Sequence, residues 1–280
     1  MLLIALPIFL LVTTVIGGWR LGDFADSISA NYSTPLRDIF VGALVAIGAC
    51  LIVYRGRPVE DLALNVAGFY ATFVAFVPYS LSGVLTGGTE LEGQELKDAE
   101  AAADELAAAL PIILGALVVI AAVFLFVEWR RGLFSRHTGA GTTTAHRVMF
   151  FLTLVLGAGF LVLLLVTVLN GTYAGVHMIA AILMIIGLAT AIASHGWDPA
   201  TKQSTPAIAH QYRVIVYLMG MVGLALFYEL VWGLPFENAV AYIEWAAIIL
   251  FTWYWVAETI RQERLIETEA LTPSRLTTSP

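Results

Sequence analysis

Residues 148–170 read VMFFLTLVLGAGFLVLLLVTVLN, an apolar stretch without a charged side chain. At a rise of about 1.5 Å per residue, a helix of this length crosses the roughly 30 Å of hydrocarbon in a bilayer. Backbone N–H and C=O groups in hydrocarbon have no water partner, so a spanning segment must satisfy them internally. The stretch also lacks the polar and apolar alternation of barrel strands. It therefore predicts a transmembrane α-helix.

The composition extends this prediction to the whole chain. Of its 280 residues, 59% are hydrophobic and 12% are charged, whereas soluble domains average about 25% charged residues. We predict an all-α, polytopic transmembrane helical bundle that forms a single domain over residues 1–266. The tail, residues 267–280, is rich in Thr, Ser and Pro and is predicted to be disordered. Apolar runs predict eight spans, at residues 2–18, 39–54, 62–86, 106–127, 148–170, 173–194, 214–233 and 239–260.

Basic side chains predict how the spans are oriented. Lys and Arg concentrate in the cytoplasmic loops of membrane proteins, and here they cluster in alternate connections. Both termini are therefore predicted to be cytoplasmic, in a multi-pass protein of the cell membrane. The acidic connection at residues 87–105 falls outside, where its alanines favour a helix that extends the fourth span. If residues 2–18 are instead a cleaved signal sequence, seven spans remain. The basic connections are at residues 55–57, 130–147, 202–213 and 261–264.

The charge balance and the single cysteine exclude several classes of function. With 14 Lys and Arg against 21 Asp and Glu, the chain lacks the basic surface that nucleic-acid binding requires. Cys50 alone cannot form an intrachain disulfide, a Cys-based zinc site or an iron–sulfur cluster. The predicted partners are the lipid bilayer and a lipid or small-molecule ligand, with no cofactor and no nucleic acid.

Polar side chains near the outer ends of the spans predict a binding pocket. Ionisable residues inside spans are costly and therefore mark sites. Three such residues, His177, Glu229 and Glu244, belong to three consecutive spans and fall about one to two helical turns below the outer surface. The alternative is that the histidine hydrogen-bonds a neighbouring helix, while the two glutamates lie at the interface or pair with Arg37. The predicted outer-leaflet pocket is lined by Tyr32, Arg37, Asp38, Tyr79, His177, Glu229 and Glu244.

Three functions stay open for this pocket. The first is non-enzymatic binding or transport of a lipid or small polar molecule, for which the planar fork of Arg37 suits an anionic headgroup. The second is a membrane-embedded metal-dependent hydrolase, because His177, Glu229 and Glu244 are an acceptable zinc ligand set. The third is a structural or assembly subunit, which predicts no cavity.

The remaining polar and small residues are interpreted structurally. Glu258 is predicted to form an interfacial ion pair with Arg261. Four histidines are predicted to be solvated residues of loops or span ends, namely His137, His146, His195 and His210. Small residues four apart let helices approach closely, which predicts packing between the second and third spans. These small residues are Gly42 and Ala46 in the second span, and Ala67, Ala71 and Ala75 in the third.

One stretch near the N-terminus resembles a known group of proteins. It comprises Ser27-Ile28-Ser29, Tyr32, Thr34-Pro35, Arg37-Asp38 and Phe40-Val41-Gly42, and it closes with Tyr54-Arg55-Gly56. In this N-terminal part the chain resembles a family of uncharacterised bacterial polytopic membrane proteins. More loosely, its Ser-containing outer loop is similar to proteins of the Frag, DRAM and Sfk type, which are linked to lipid and membrane homeostasis. The resemblance implies a multi-pass membrane protein and favours a lipid-related role.

Overall fold

The protein is built from α-helices wherever the computed structural model describes the chain. The described residues are 1–21, 28, 36–77, 94–130, 132–139, 142–170, 175–197, 206–233 and 238–271. Long apolar runs become helices because a helix satisfies its backbone hydrogen bonds locally. The helices are α1 (Leu2–Leu21), α2 (Arg37–Val53), α3 (Pro58–Phe76), α4 (Gln94–Arg130), α5 (Leu133–Thr138), α6 (Thr144–Asn170), α7 (Val176–Gly196), α8 (Pro206–Trp232) and α9 (Ala239–Leu271).

Seven of these helices are long and apolar enough to cross a membrane. The two described helices that do not reach this length are α2, which has 17 residues, and α5, which has 6 residues. The prediction of an all-α protein is confirmed for the described residues, and seven helices are candidates for membrane spans. α2 as an eighth span stays a prediction. The seven helices are α1, α3, α4, α6, α7, α8 and α9.

The third predicted span ends earlier than its hydropathy suggests. The hydropathy of the sequence predicts the third span at residues 62–86, but α3 covers Pro58–Phe76. Proline disfavours helical backbone at the residue before it, and Val77, which precedes Pro78, has an extended conformation with φ −101° and ψ 117°. Apolar side chains continue past this point, so hydropathy alone overestimates the length of the helix.

Two other helix ends bear on the sequence predictions. The acidic connection is helical from Gln94 onward and continues into the fourth span as α4, and its Asp104 and Glu105 are exposed. The predicted helical extension is therefore confirmed. α9 continues to Leu271, into the segment predicted as a tail, and residues 272–280 lie outside the described chain.

Six helices form a closed ring. Each packs on the next in the order α1, α2, α3, α7, α8, α9 and back to α1, and the α3–α7 contact is the most extensive. Buried side chains form two apolar clusters, one around Phe73 and one around Tyr212. α4 and α6 contact the ring from outside, at α3 and α7. The ring brings together residues that are far apart in sequence.

Two glycines allow the backbones of α2 and α3 to approach closely. A Cβ on Gly68 of α3 would lie 2.6 Å from the carbonyl oxygen of Gly48 of α2, and a Cβ on Gly48 would lie 2.9 Å from the oxygen of Gly68. The predicted packing of these two helices is therefore present, but Gly42 does not make it, since a Cβ there would have no atom within 4 Å. Close approach of two backbones requires residues without side chains at the crossing point.

The outer surface of the bundle carries large apolar side chains. On α6, Val155 is 68% exposed and Leu165 is 60% exposed, and on α4 Ile112 is 74% exposed. A protein dissolved in water rarely leaves so much contiguous apolar surface uncovered. Helices that are apolar all round are typical of membrane spans. The surface therefore agrees with a bundle that contacts lipid.

Candidate functional sites at the two ends of the helical ring

A narrow apolar cavity lies inside the ring. Its volume is about 110 Å³, and side chains from all six ring helices line it. Within the described chain, the lining is apolar apart from His177 of α7 and Glu244 of α9. On α7 the lining extends from His177 to Leu188, which corresponds to a rise of about 16 Å. The cavity is thus long and thin, with its two titratable side chains at one end.

His177 ties the start of α7 to the end of α3. Its side chain is 3% exposed, and its Nδ1 lies 2.6 Å from the carbonyl oxygen of Val77. A carbonyl oxygen only accepts, so Nδ1 carries the hydrogen and Nε2 is the acceptor nitrogen. The last carbonyls of a helix lack helical donors, and this bond satisfies one beside the break at Pro78. The hydrogen bond to a neighbouring helix, one of the alternatives for His177, is confirmed.

Glu244 connects α9 to the first connection of the chain. Its Oε2 accepts a hydrogen bond from the backbone N–H of Ile28, at 2.5 Å. The side chain of Ile28 is 4% exposed and lines the same cavity. A carboxylate offers about four lone-pair positions to donors. The polar end of the cavity therefore combines an imidazole acceptor nitrogen with a carboxylate.

Two of the seven predicted pocket residues, His177 and Glu244, share this cavity. Arg37 and Asp38 are exposed in the first turn of α2 and lie outside the described lining. Glu229 is half-buried, about one turn beyond Leu226, and it does not line the cavity although Leu226 does. Tyr32 and Tyr79 lie outside the described residues. The anionic headgroup predicted from Arg37 thus has no basic side chain among the described lining residues.

A second polar site lies at the other end of the ring. Glu60 of α3, His195 of α7 and Glu258 of α9 each place one potential ligand atom within 4.8 Å of the others, and all three side chains are buried. Along α7, His195 is about 27 Å from His177. Among the described residues, these three form the group of potential metal ligands, whereas His177, Glu229 and Glu244 do not.

Glu60 is held by donors from two segments. Tyr254 O–H donates to Oε1 at 2.9 Å, and the backbone N–H of Arg57 donates to Oε2 at 3.1 Å. A Cβ on Gly56 would overlap the Glu60 carboxylate, so the lack of a side chain lets residues 54–57 cover this carboxylate. His195 Nε2 is 2.9 Å from Glu60 Oε2. This distance is that of an ion pair, but the two groups lack the alignment of a hydrogen bond.

Glu258 makes a buried ion pair with Arg261. Arg261 Nε donates to Oε2 at 2.8 Å, and the second guanidinium nitrogen donates to Oε1. Tyr212 O–H also donates to Oε2, at 2.6 Å, and Gln262 donates to Oε1 at 2.8 Å. Both oxygens of Glu258 therefore have two donors each. The predicted pair with Arg261 is confirmed, but it is buried and not interfacial, because Glu258 is 1% exposed.

Two of the histidines predicted to be solvated are buried. His195 is 0% exposed and His146 is 3% exposed, so the prediction is wrong for both, while His210 is exposed as predicted. His146 Nε2 lies 2.7 Å from His137 Nδ1, and the His137 ring stacks on Phe150. Position at the end of a span did not imply contact with water, because neighbouring helices extend past the same level.

One sequence signal points to the site at Glu258. Arg261 and Gln262 follow Glu258 at positions i+3 and i+4, which places all three on one face of a helix. Charged and amide side chains sharing a face beside an apolar run indicate a buried network or an interfacial one. Glu60 gives a weaker signal, because a glutamate in the first turn of a helix is commonly a capping residue.

Comparison of the chain with protein-family models, curated proteins and solved structures finds no match. The resemblance carried by residues 27–56 therefore stays a prediction.

Proposed function

We propose that the protein is an eight-span membrane protein with both termini in the cytoplasm, and that it binds a single-chain amphiphile inside the helical ring. The apolar cavity with His177 and Glu244 at one end carries this proposal. An apolar chain would occupy the column between His177 and Leu188, and its polar group would lie beside the two titratable side chains. Ligand sites between the helices of bundles have this composition, mostly apolar with a few polar groups at fixed positions.

The dimensions of the cavity favour one chain over two. Its volume of about 110 Å³ is below the roughly 150 Å³ of an apolar cavity that holds one benzene ring, so a chain that occupies its length of about 16 Å requires the lining side chains to move apart. Met178, Met184 and Met219 line it, and methionine side chains are flexible and adapt to ligands of different shape. A narrow, adaptable column suits one hydrocarbon chain.

The polar end selects the chemistry of the headgroup. His177 offers an acceptor nitrogen, and Glu244 offers carboxylate oxygens. A headgroup that donates hydrogen bonds, such as a hydroxyl or an ammonium, matches these acceptors. A fatty-acid carboxylate would meet the charge of Glu244, and two like charges about 4 Å apart repel by about 4 kcal/mol at an effective dielectric constant of about 20. We therefore infer a long-chain alcohol or amine, in place of the anionic headgroup predicted from Arg37.

Binding of radiolabelled dodecan-1-ol tests the amphiphile proposal. The protein is purified in a steroid-based detergent, so that no alkyl detergent competes for the cavity. We expect saturable binding of dodecan-1-ol and dodecylamine, and binding of laurate at least about tenfold weaker because of the repulsion by Glu244. Glu244→Gln removes the charge of this side chain, so we expect a smaller difference between the binding affinities for laurate and for dodecan-1-ol.

Cavity-filling variants provide the matched control. Ala247 lines the cavity, so Ala247→Phe is expected to abolish saturable dodecan-1-ol binding. Ala122 is exposed on the outer face of α4, and Ala122→Phe is expected to bind like the unsubstituted protein. Equal binding by both variants, or no saturable binding by the unsubstituted protein, contradicts the proposal and favours a structural role.

The orientation of α2 is tested by cysteine labelling in intact cells. In a Cys50→Ser background, an impermeant maleimide is expected to label Asp38→Cys, at the start of α2, and not Arg55→Cys, just after its end. Both positions are exposed, so access depends on the side of the membrane. Lys97→Cys is the external control, and Arg147→Cys is the cytoplasmic one. Labelling of Asp38→Cys and Arg55→Cys to the same extent before lysis would show that α2 does not cross.

A further inference from the structure

We propose that Glu60, His195 and Glu258 bind one divalent transition-metal ion of the zinc type, at the end of the ring opposite His177. The site is separate from the amphiphile cavity, since His195 lies about 10 Å further along α7 than Leu188, the last α7 residue of the cavity lining. It joins three ring helices, α3, α7 and α9, that are distant in sequence and meet only because the ring closes.

The spacing of the three side chains is close to that of a metal site. Their potential ligand atoms lie within 4.8 Å of one another. Bonds of about 2.0–2.2 Å to nitrogen and oxygen ligands place neighbouring ligands about 3.3 Å apart in a tetrahedral site. Small side-chain movements would therefore bring all three within bonding distance. One imidazole with two carboxylates is a donor set that zinc and related ions accept.

His195 is the observation that points to a ligand. Its side chain is 0% exposed, and neither ring nitrogen has a hydrogen-bond partner in the described chain. Buried imidazole nitrogens are normally paired, because an unpaired polar atom loses its hydration without replacement. Nε2 lies 2.9 Å from Glu60 Oε2. A cation between these two atoms would give Nε2 a ligand bond and would add a second partner to Oε2, which already accepts from the backbone N–H of Arg57.

The charges of the site also favour a cation. The carboxylates of Glu60 and Glu258 are buried, and Arg261 donates two hydrogen bonds to Glu258. Two buried carboxylates carry negative charge that is costly to leave uncompensated in a membrane protein. A divalent cation on Glu60 and His195 compensates it. Protonation of His195 is the competing way to compensate it.

The surroundings resemble the outer partners of metal ligands. Ligating carboxylates are normally oriented by further hydrogen bonds, and here Tyr254 orients Glu60 while Tyr212 and Gln262 orient Glu258. Tyr254 and the backbone N–H of Arg57 orient the Glu60 carboxylate, and its Oε2 lies beside Nε2 of His195. Glu258 has two donors on each oxygen, so a metal on its Oε2 would replace the hydrogen bond from Tyr212.

Elemental analysis of metal-loaded protein tests the site. The full chain, purified without a histidine tag, is stripped with EDTA, dialysed against ZnCl₂ and freed of excess metal. We expect about one zinc per chain, and binding at least about tenfold weaker in His195→Gln and in Glu60→Gln. His210 is exposed on α8, and His210→Gln is the matched control, expected to keep full zinc binding.

The visible absorption of bound Co²⁺ is measured on the unsubstituted protein, so this test does not depend on the folding of any variant. The unsubstituted protein loaded with CoCl₂ is expected to show visible absorption of low-coordinate Co²⁺, and ZnCl₂ should displace it. Tyr254→Phe keeps the ring and removes the donor to Glu60, so we expect zinc affinity about 10- to 100-fold lower. Absence of stoichiometric zinc and of the Co²⁺ absorption would overturn the proposal and leave protonated His195 as the compensating charge. Equal zinc binding by His195→Gln and His210→Gln would also overturn it.

Discussion

Arg261→Met is expected to lower the free energy of unfolding by about 3–5 kcal/mol, which is typical when one partner of a buried ion pair is removed. Arg261 is 7% exposed and Glu258 is 1% exposed, so solvent does not replace the lost guanidinium. The Glu258 carboxylate would keep Tyr212 and Gln262 as donors but lose its positive partner. Unfolding in mixed micelles, followed by tryptophan fluorescence, measures the loss.

Two further variants test whether the loss of stability comes from burial of the ion pair and from the unpaired charge that remains. Arg55 pairs with Asp61 at 3.3 Å, but their side chains are 66% and 27% exposed, so Arg55→Met is expected to cost less than about 1 kcal/mol. The double variant Glu258→Leu with Arg261→Met removes both charges and should recover much of the loss, because apolar replacements of a buried pair are often neutral. A loss for Arg261→Met no larger than that for Arg55→Met would contradict a buried pair.

The membrane fold could be predicted because span length and apolar composition are local properties of a sequence. Residues 148–170 are sufficient for one span, and α6 covers them as predicted. The end of α3 was missed for a reason that is also local, since Pro78 outweighs the apolar residues that follow it. Hydropathy measures where a helix is permitted in a membrane, and backbone geometry decides where it stops.

The polar end of the cavity was partly predictable and the second site was not. Counting residues from the span ends gave the depth of His177 and Glu244, and both line the cavity. Depth did not show that Glu229 lies outside the lining. Glu60, His195 and Glu258 meet because α3, α7 and α9 belong to one ring. The order of helices around a ring is a tertiary property that no single span encodes.

Gly68→Val is expected to destabilise the ring by about 3 kcal/mol, at the upper end of the usual cost of overpacking. A Cβ at Gly68 would lie 2.6 Å from the carbonyl oxygen of Gly48 and 2.8 Å from Cγ1 of Ile52. The Gly48 oxygen is a backbone atom and cannot rotate away, so α2 and α3 would have to separate. Thermal unfolding in detergent measures this loss against the unsubstituted protein.

Gly42→Val is the control for the same substitution on α2. A Cβ at Gly42 would have no atom within 4 Å, and valine has a higher helix propensity than glycine, so the free energy of unfolding should change by less than about 1 kcal/mol. Leu44, Ile47 and Leu51 of α2 line the cavity, so separation of α2 from α3 should also weaken dodecan-1-ol binding. Gly42→Val should leave that binding intact. Equal effects of Gly68→Val and Gly42→Val on stability and on binding would show that the α2–α3 contact does not shape the cavity.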